Sequence, residues 1–405
     1  MDKEDHEMKK TLLIVSHALE LGGAERSLIG LLDALDSKQW DVDLFLLRHE
    51  GEMMSEIPSW VNLLPEFSAY TVLARPMRKT LLEGHILLTG ARLLGKIAAN
   101  RYVKKNNHTD SVVPLEYSHK FTCPLMPKIQ KNKIYDLAIS FLTPHYFVAK
   151  KILAKKKVAW IHTDYSKVQV DEKSEVKMWD AYNHIVSISA SVTDGFIKRF
   201  PMLKEKILLI ENVLPEKLVR KQAEEPIFDM KRVGDEKILL SIGRFSYAKN
   251  FDNVPDICSR IYQSGLNVKW YLIGYGGEES LIWKRITEVG MQDKVIILGK
   301  KENPYPYIKA CDLYVQPSRY EGKCVTVREA QMLGKPVVIT NYSTSASQLE
   351  DGVDGIIVPM DNEGCAKGII SLLNDKYLMN ALSSNCKKRD YSNHLEVEKL
   401  STLIK

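Results

Sequence analysis

Glu321 and Glu329 are eight residues apart in a segment that could bind a phosphorylated sugar. The segment reads Ser318-Arg319-Tyr320-Glu321-Gly322-Lys323-Cys324-Val325-Thr326-Val327-Arg328-Glu329 and follows the apolar run Leu313-Tyr314-Val315. A short run of that kind predicts a buried strand. The first acid then falls in the loop after it and the second about one turn into the next helix. Gly322 lets the backbone come close to a ligand. The amides of Lys323, Cys324 and Val325 would open the helix, where unpaired N–H groups and the positive end of the dipole suit a diphosphate. Glu321 is then placed to accept hydrogen bonds from sugar hydroxyls, and Glu329 from ribose hydroxyls. The plainer reading is a helix with acids at its start, which the dipole favours without any ligand.

Other strand ends carry candidates. Gly243-Arg244-Phe245 and Lys249-Asn250-Phe251 follow the run 238–242. Arg244 and Lys249, five residues apart, can converge on one diphosphate, the arginine as a planar fork and the lysine as a point charge. Ile273-Gly274-Tyr275-Gly276-Gly277 lacks the third glycine of a dinucleotide fingerprint. Gly22-Gly23-Ala24-Glu25 opens a helix after the first strand, and Trp160-Ile161-His162-Thr163-Asp164-Tyr165 ends another strand. Asp41-Val42-Asp43 precedes an apolar run, the wrong end of a strand for a metal-binding acid pair, and reads as structural.

With these residues in place, the chain resembles the family 4 retaining glycosyltransferases. Their signature is a Glu, usually followed by Gly, with a second Glu eight positions on, here Glu321-Gly322 and Glu329. The approach Cys311-Asp312-Leu313-Tyr314-Val315-Gln316-Pro317-Ser318, the continuation Ala330-Gln331-Met332-Leu333-Gly334-Lys335-Pro336-Val337-Val338 and the turn Asp351-Gly352-Val353-Asp354-Gly355 fit the same pattern. Lys323 and Cys324 depart from it and mark where donor choice is set. The resemblance is strongest over 243–361 and weakest over 50–130.

It implies the GT-B fold and retaining transfer of a sugar from a nucleoside-diphosphate sugar, with UDP the expected carrier. The acceptor would be a hydroxyl of a glycan or lipid-linked glycan in cell-surface polysaccharide synthesis. It implies no metal and no cofactor beyond the nucleotide sugar as co-substrate. By the same resemblance His162 faces the donor sugar, with Asp164 and Tyr165 near the acceptor. Arg244 and Lys249 stabilise the leaving diphosphate, Gly22 and Gly23 lie over the phosphates, and Gly243, Gly274 and Lys300 line the nucleotide. The catalytic set is His162, Arg244, Lys249 and Glu321. No protein nucleophile is implied, and the leaving phosphate itself can take the acceptor proton. The competing readings are a non-catalytic partner subunit of the same fold and a phosphorylase or epimerase built on it. Phosphorylases of this fold need a pyridoxal lysine in a much longer chain, and none is identifiable.

The elements that must position these residues are short apolar runs alternating with amphipathic helical patterns. Runs 12–16, 42–47, 137–140, 158–161 and 185–188 form one series. Runs 238–242, 270–273, 295–298, 313–315 and 337–339 form another. That alternation predicts an α/β protein with two doubly wound parallel sheets. Domains 1–214 and 215–387 would face a central cleft, with a connection at 215–237 and a final helix 388–405 packing back on the first domain.

The chain has 57 Lys and Arg against 51 Asp and Glu, net +6. No basic reading motif accompanies that mild excess, so nucleic acid is not an expected partner. The six cysteines show no CxxC spacing, which argues against zinc and disulfides and for a reducing, cytoplasmic setting, within which the inner face of the cell membrane is one option. The stretch 1–15 is charged and then briefly apolar, a strand rather than a leader. Residues 73–105 hold eight Lys and Arg against Glu83 alone, interleaved with leucines. One or two basic amphipathic helices are expected there, either covering the first sheet or resting on an anionic membrane as a peripheral contact.

Overall fold

The computed structural model describes residues 9–404 apart from positions 21, 109, 110, 167 and 322. The chain divides into two compact units, residues 9–215 with 393–404, and residues 216–392.

The first unit carries a 7-stranded parallel sheet in the order β3-β2-β1-β4-β5-β6-β7. Its strands are β1 (Lys10–Ser16), β2 (Trp40–Leu46), β3 (Asn62–Leu63), β4 (Tyr135–Ser140), β5 (Ala154–Ile161), β6 (His184–Ser187) and β7 (Ile207–Leu209). The second unit carries a 6-stranded parallel sheet ordered β10-β9-β8-β11-β12-β13. These strands are β8 (Lys237–Ile242), β9 (Val268–Ile273), β10 (Val295–Gly299), β11 (Leu313–Gln316), β12 (Val337–Thr340) and β13 (Ile356–Val358). Strands covered by helices on both faces have no polar side to present. Leu12, Leu13 and Ile14 in β1 and Leu239 and Leu240 in β8 are accordingly fully buried. In each sheet the direction of winding reverses at one strand, β1 in the first and β8 in the second. The crevice beyond the carboxyl end of such a strand is where open α/β sheets bind ligands.

Three expectations are corrected. Residues 215–237 are not a bare connection. They include the helix Glu216–Gln222, bury Val219, Ala223 and Met230, and from Glu216 on belong to the second unit. Burial of those side chains supplies a reason to fold that the charged residues of the stretch, with Pro215 and Pro226, hide in the sequence.

The end of the chain is not one helix. The helix Lys376–Lys388 stays with the second unit, and the backbone turns at Asn393, where φ is 58°. A 3-10 turn (His394–Glu398) and a short helix (Lys399–Thr402) follow in the first unit. Glu396 accepts from the Glu211 amide at 2.9 Å, and Leu400 and Leu403 are buried there.

The basic segment forms two helices, Met77–Leu82 and Ile86–Lys105, but of its leucines and isoleucines between 81 and 97 Leu88 alone is buried in the core of the first sheet, and the rest are exposed. The buried side of the longer helix is Leu88, Ala91, Gly95 and Ala99. A Cβ on Gly95 would lie 2.9 Å from the Tyr117 carbonyl oxygen, so the small residues allow close approach to the helix Val113–Thr122.

Candidate functional site

In the second unit, the loops leaving β8 and β11 meet at the switch point. The loop after β8 folds into a 3-10 turn, Tyr247–Lys249, and then Asn250 takes a left-handed conformation with φ 61°. Asparagine tolerates that region better than most residues. The buried Asn250 side chain donates to the Pro317 carbonyl at 2.9 Å, tying the loop to the one after β11. Arg319 fastens the same two loops. Its guanidinium donates to both Asp252 oxygens at 2.9 and 2.7 Å and to the Tyr247 carbonyl at 2.7 Å, and it stacks 4.2 Å from the Tyr247 ring centroid.

That scaffold brings Lys249 to Glu321. The ammonium donates to Glu321 Oε1 at 2.5 Å and lies 3.7 Å from Cys324 Sγ. Ser318 Oγ donates to the same carboxylate oxygen at 2.6 Å, and Thr344 Oγ1 donates to the Glu321 carbonyl at 2.9 Å. The Lys249 and Glu321 side chains keep 18% and 11% exposure, so the pair is mostly desolvated yet reachable. Burial works against the Lys249 charge, but Cys324 and Glu321 beside it outweigh burial and hold its pKa above the usual lysine value. Burial also raises the Cys324 thiol, which stays neutral at pH 7, so Glu321 is the charge that steadies the ammonium there.

Arg244 is exposed, and its guanidinium has no partner among the described residues. Lys249 lies along Gly243, where a Cβ would come within 3.1 Å of the lysine Cε. Gly274 has φ 151°, and a Cβ there would stand 1.9 Å from the Gly243 carbonyl oxygen, so only glycine lets the loops after β8 and β9 approach. Lys300 is exposed, 5.9 Å from the Tyr275 ring centroid.

The helix after Glu321 starts at Val325, with Cys324 as its cap. Here one expectation fails. The Cys324 amide is not open to a diphosphate, because it donates to Gln348 Oε1 at 2.7 Å, and Gln348 returns a bond to the Cys324 carbonyl at 3.1 Å. Gly322 lies outside the described residues. Glu329 is buried and accepts from the Tyr305 hydroxyl at 3.0 Å.

The first unit has its own switch-point cluster at the ends of β1, β4 and β5. His162 packs against Phe141, ring centroids 4.6 Å apart. Burial lowers its pKa to about 4, against a hydrogen bond to the Phe141 backbone, so the ring is neutral and its Nε2 is buried without a partner. His17 is also held at about 4, by burial and by Arg48. His145 is fully buried, bonded through Nδ1 to Ser140 Oγ at 2.7 Å, with Nε2 unpartnered. Sequence reasoning named only His162 of these, because the others sit in loops with no shared pattern.

Gly22 and Gly23 open the helix Gly23–Ala34, and the Glu25 carboxyl curls back over Gly22, where a Cβ would meet it at 2.1 Å. Tyr165 is a core residue, its hydroxyl donating to Glu175 at 2.7 Å, and does not present itself to an acceptor. Asp164 caps Ser166 locally. Asp43 is structural. Burial opposes its charge, but bonds from Tyr135, Lys133 and Asn62 hold its pKa below the usual value. All six cysteines are buried free thiols.

Residues 222–389 match the family described as glycosyl transferases group 1. A Campylobacter jejuni N-acetylgalactosamine-N,N'-diacetylbacillosaminyl-diphospho-undecaprenol 4-alpha-N-acetylgalactosaminyltransferase is 25% identical over 198 residues, 48% of this chain and 52% of that protein. The Rhizobium meliloti lipopolysaccharide core biosynthesis glycosyltransferase LpsE is 28% identical over 150 residues, 37% of this chain and 43% of that one. The chain thus spans about half the length of the curated relatives it matches. Among solved structures, Anabaena HepE in complex with UDP superposes with TM-score 0.62 at 17% identity over 97% of this chain and 98% of that one. TarM of S. aureus does so with TM-score 0.63 at 14% identity, covering 99% of both. At such identities the likeness fixes the fold alone. Residues 222–389 are a group 1 glycosyltransferase domain, in a chain whose two Rossmann-like units have the GT-B fold.

Proposed function

We propose that the chain transfers a sugar, with retention, from a nucleoside-diphosphate sugar to a hydroxyl of a glycan or lipid-linked glycan in cell-surface polysaccharide synthesis. The carrier in this reading is UDP. The observation that carries it is the Lys249–Glu321 pair at the β8 switch point, with Arg244 exposed on the same loop after β8. An ammonium has three N–H donors, and Glu321 accepts from one. Lys249 can therefore hold Glu321 in place and still donate to a diphosphate oxygen. Arg244 supplies the fork on the other oxygens. The rate gain comes from meeting charge as it develops on the leaving diphosphate. With two cations in that role, activity is expected to survive EDTA.

Glu321 accepts from sugar hydroxyls. The leaving phosphate takes the acceptor proton. Gln348 occupies the Cys324 amide, so that amide is not counted among the phosphate donors in this reading. UDP is named in the complex of the structural relative HepE, and a diphospho-undecaprenol acceptor in the Campylobacter relative. Those names support the donor and acceptor classes. The test is transfer or slow hydrolysis of radiolabelled UDP-sugars by the purified chain. Retention follows from the anomeric configuration of the product by NMR. Inertness toward a full panel of donors, with acceptor lipids supplied, would instead make the chain a non-catalytic subunit.

A further inference from the structure

We infer that the helices Met77–Leu82 and Ile86–Lys105 are a docking surface for an anionic lipid bilayer. This inference stands apart from the proposed reaction, because it concerns where the first unit rests and not what the second unit binds. Leucine and isoleucine scattered singly on a surface are ordinary. Here they are concentrated at one corner, with Leu82 81% exposed, Ile86 66%, Leu87 75% and Leu94 61%.

The orientation of the longer helix is fixed by its other side. Leu88, Ala91, Gly95 and Ala99 are buried, with Gly95 close against the Tyr117 backbone. At 3.6 residues per turn, Ile86, Leu93 and Ile97 point the opposite way, outward. The apolar stretch 86–97 runs about 17 Å along the helix. It is followed by the exposed cations Arg101, Lys104 and Lys105.

Charge selects the occupant. Glu83, the one acid between 73 and 105, is paired with Arg75 at 2.8 Å. Arg92 is spent on the carbonyls of Val72 and Arg75, where it closes the preceding turn. That leaves Arg78, Lys79, Lys96, Arg101, Lys104 and Lys105 with no carboxylate in the segment to balance them. An apolar ridge flanked by uncompensated cations fits a surface that is apolar within and phosphate-rich outside. No helix among the described residues is long and apolar enough to cross a membrane, so these two lie in the plane of the interface.

The experiment is co-sedimentation of the full chain, without nucleotide, with vesicles of phosphatidylcholine alone and of phosphatidylcholine with phosphatidylglycerol. Two variants accompany it, Leu82→Ser/Leu87→Ser/Leu94→Ser and Arg101→Gln/Lys104→Gln/Lys105→Gln. All six side chains are solvent-facing, so unchanged far-UV spectra and melting are expected. The wild type should bind the anionic vesicles at low salt and the neutral ones far more weakly. Removing three charges should weaken binding on the order of a hundred-fold, and removing each leucine roughly ten-fold. Absence of binding to anionic vesicles at low salt would overturn the inference. So would binding that neither variant weakens. A concentration-dependent dimer in sedimentation velocity, abolished by the leucine variant in a protein that ignores vesicles, would assign the ridge to a second copy of the chain instead.

Discussion

Replacing Lys249 with Met leaves Glu321 as a largely desolvated carboxylate that still accepts from Ser318 Oγ. Breaking a fully buried ion pair costs about 3–5 kcal/mol. The 18% and 11% exposure of the two side chains lets water screen part of that, so the expected loss is about 2–3 kcal/mol. Glu321→Gln keeps an oxygen for Ser318 and for the ammonium, and should cost about 1–2 kcal/mol. The double variant no longer strands a charge. It should be more stable than the sum of the single losses by about 1–2 kcal/mol, the coupling of a direct contact. For a unit of this size a kcal/mol moves the melting point by roughly 2–4 °C. Calorimetry of the full chain reads the shift, and hydrogen exchange on peptides covering 247–253 and 318–324 assigns it to these loops. Additive losses, or a Lys249→Met variant as stable as the wild type, would refute the description of the pair as desolvated and coupled.

Arg319→Lys keeps the charge but cannot fork onto Asp252 or stack as flatly on Tyr247. It should cost about 1–2 kcal/mol and speed exchange in both loops, with a weaker nucleoside-diphosphate affinity that Arg319→Ala lowers further. Protection equal to the wild type would remove Arg319 from the positioning of Lys249.

Acid and base act oppositely in the first unit. Folded His17 and His162 titrate near 4 against an ordinary 6.5, so the unfolded chain binds more protons between those values and stability falls as pH drops through that window. Burial, against hydrogen bonds from Tyr165 and Trp179, lifts Glu175 to about 7 from an ordinary 4.5, so its contribution is present below 4.5 and lost as pH rises through 7. Glu175→Gln should therefore gain about 3 kcal/mol at pH 8 relative to pH 4 in urea unfolding, compared with the wild type. An unaltered pH profile would contradict the neutral, buried state of Glu175.

The alternating strands were legible because a parallel sheet demands continuous apolar runs, and 12–16 and 238–242 have no other use. Edge strands Asn62–Leu63 and Ile207–Leu209 were not, being too short to make a pattern. Glu321, Lys249 and Gly243 were legible from their places after strands. Arg319–Asp252 was not, because its partners are 67 residues apart and neither fits a local rule. Gln348, which closes the Cys324 amide, lies 24 residues on, in a segment with no periodicity. The helix Ile86–Lys105 misled for a physical reason. Hydrophobic spacing assigns leucines to the inside, but close packing on the Tyr117 backbone selects glycine and alanine, and every leucine of the helix but Leu88 is left outside.

The central claim is that the loops after β8 and β11 bind a nucleoside diphosphate through Lys249 and Arg244. Isothermal titration of UDP and GDP into the wild type, Lys249→Met and Arg244→Ala tests it directly. The account predicts saturable binding of a nucleoside diphosphate by the wild type, weakened roughly ten-fold or more in each variant as charge-assisted bonds are lost. Binding that is indifferent to both substitutions, or no binding of either nucleotide, would contradict it.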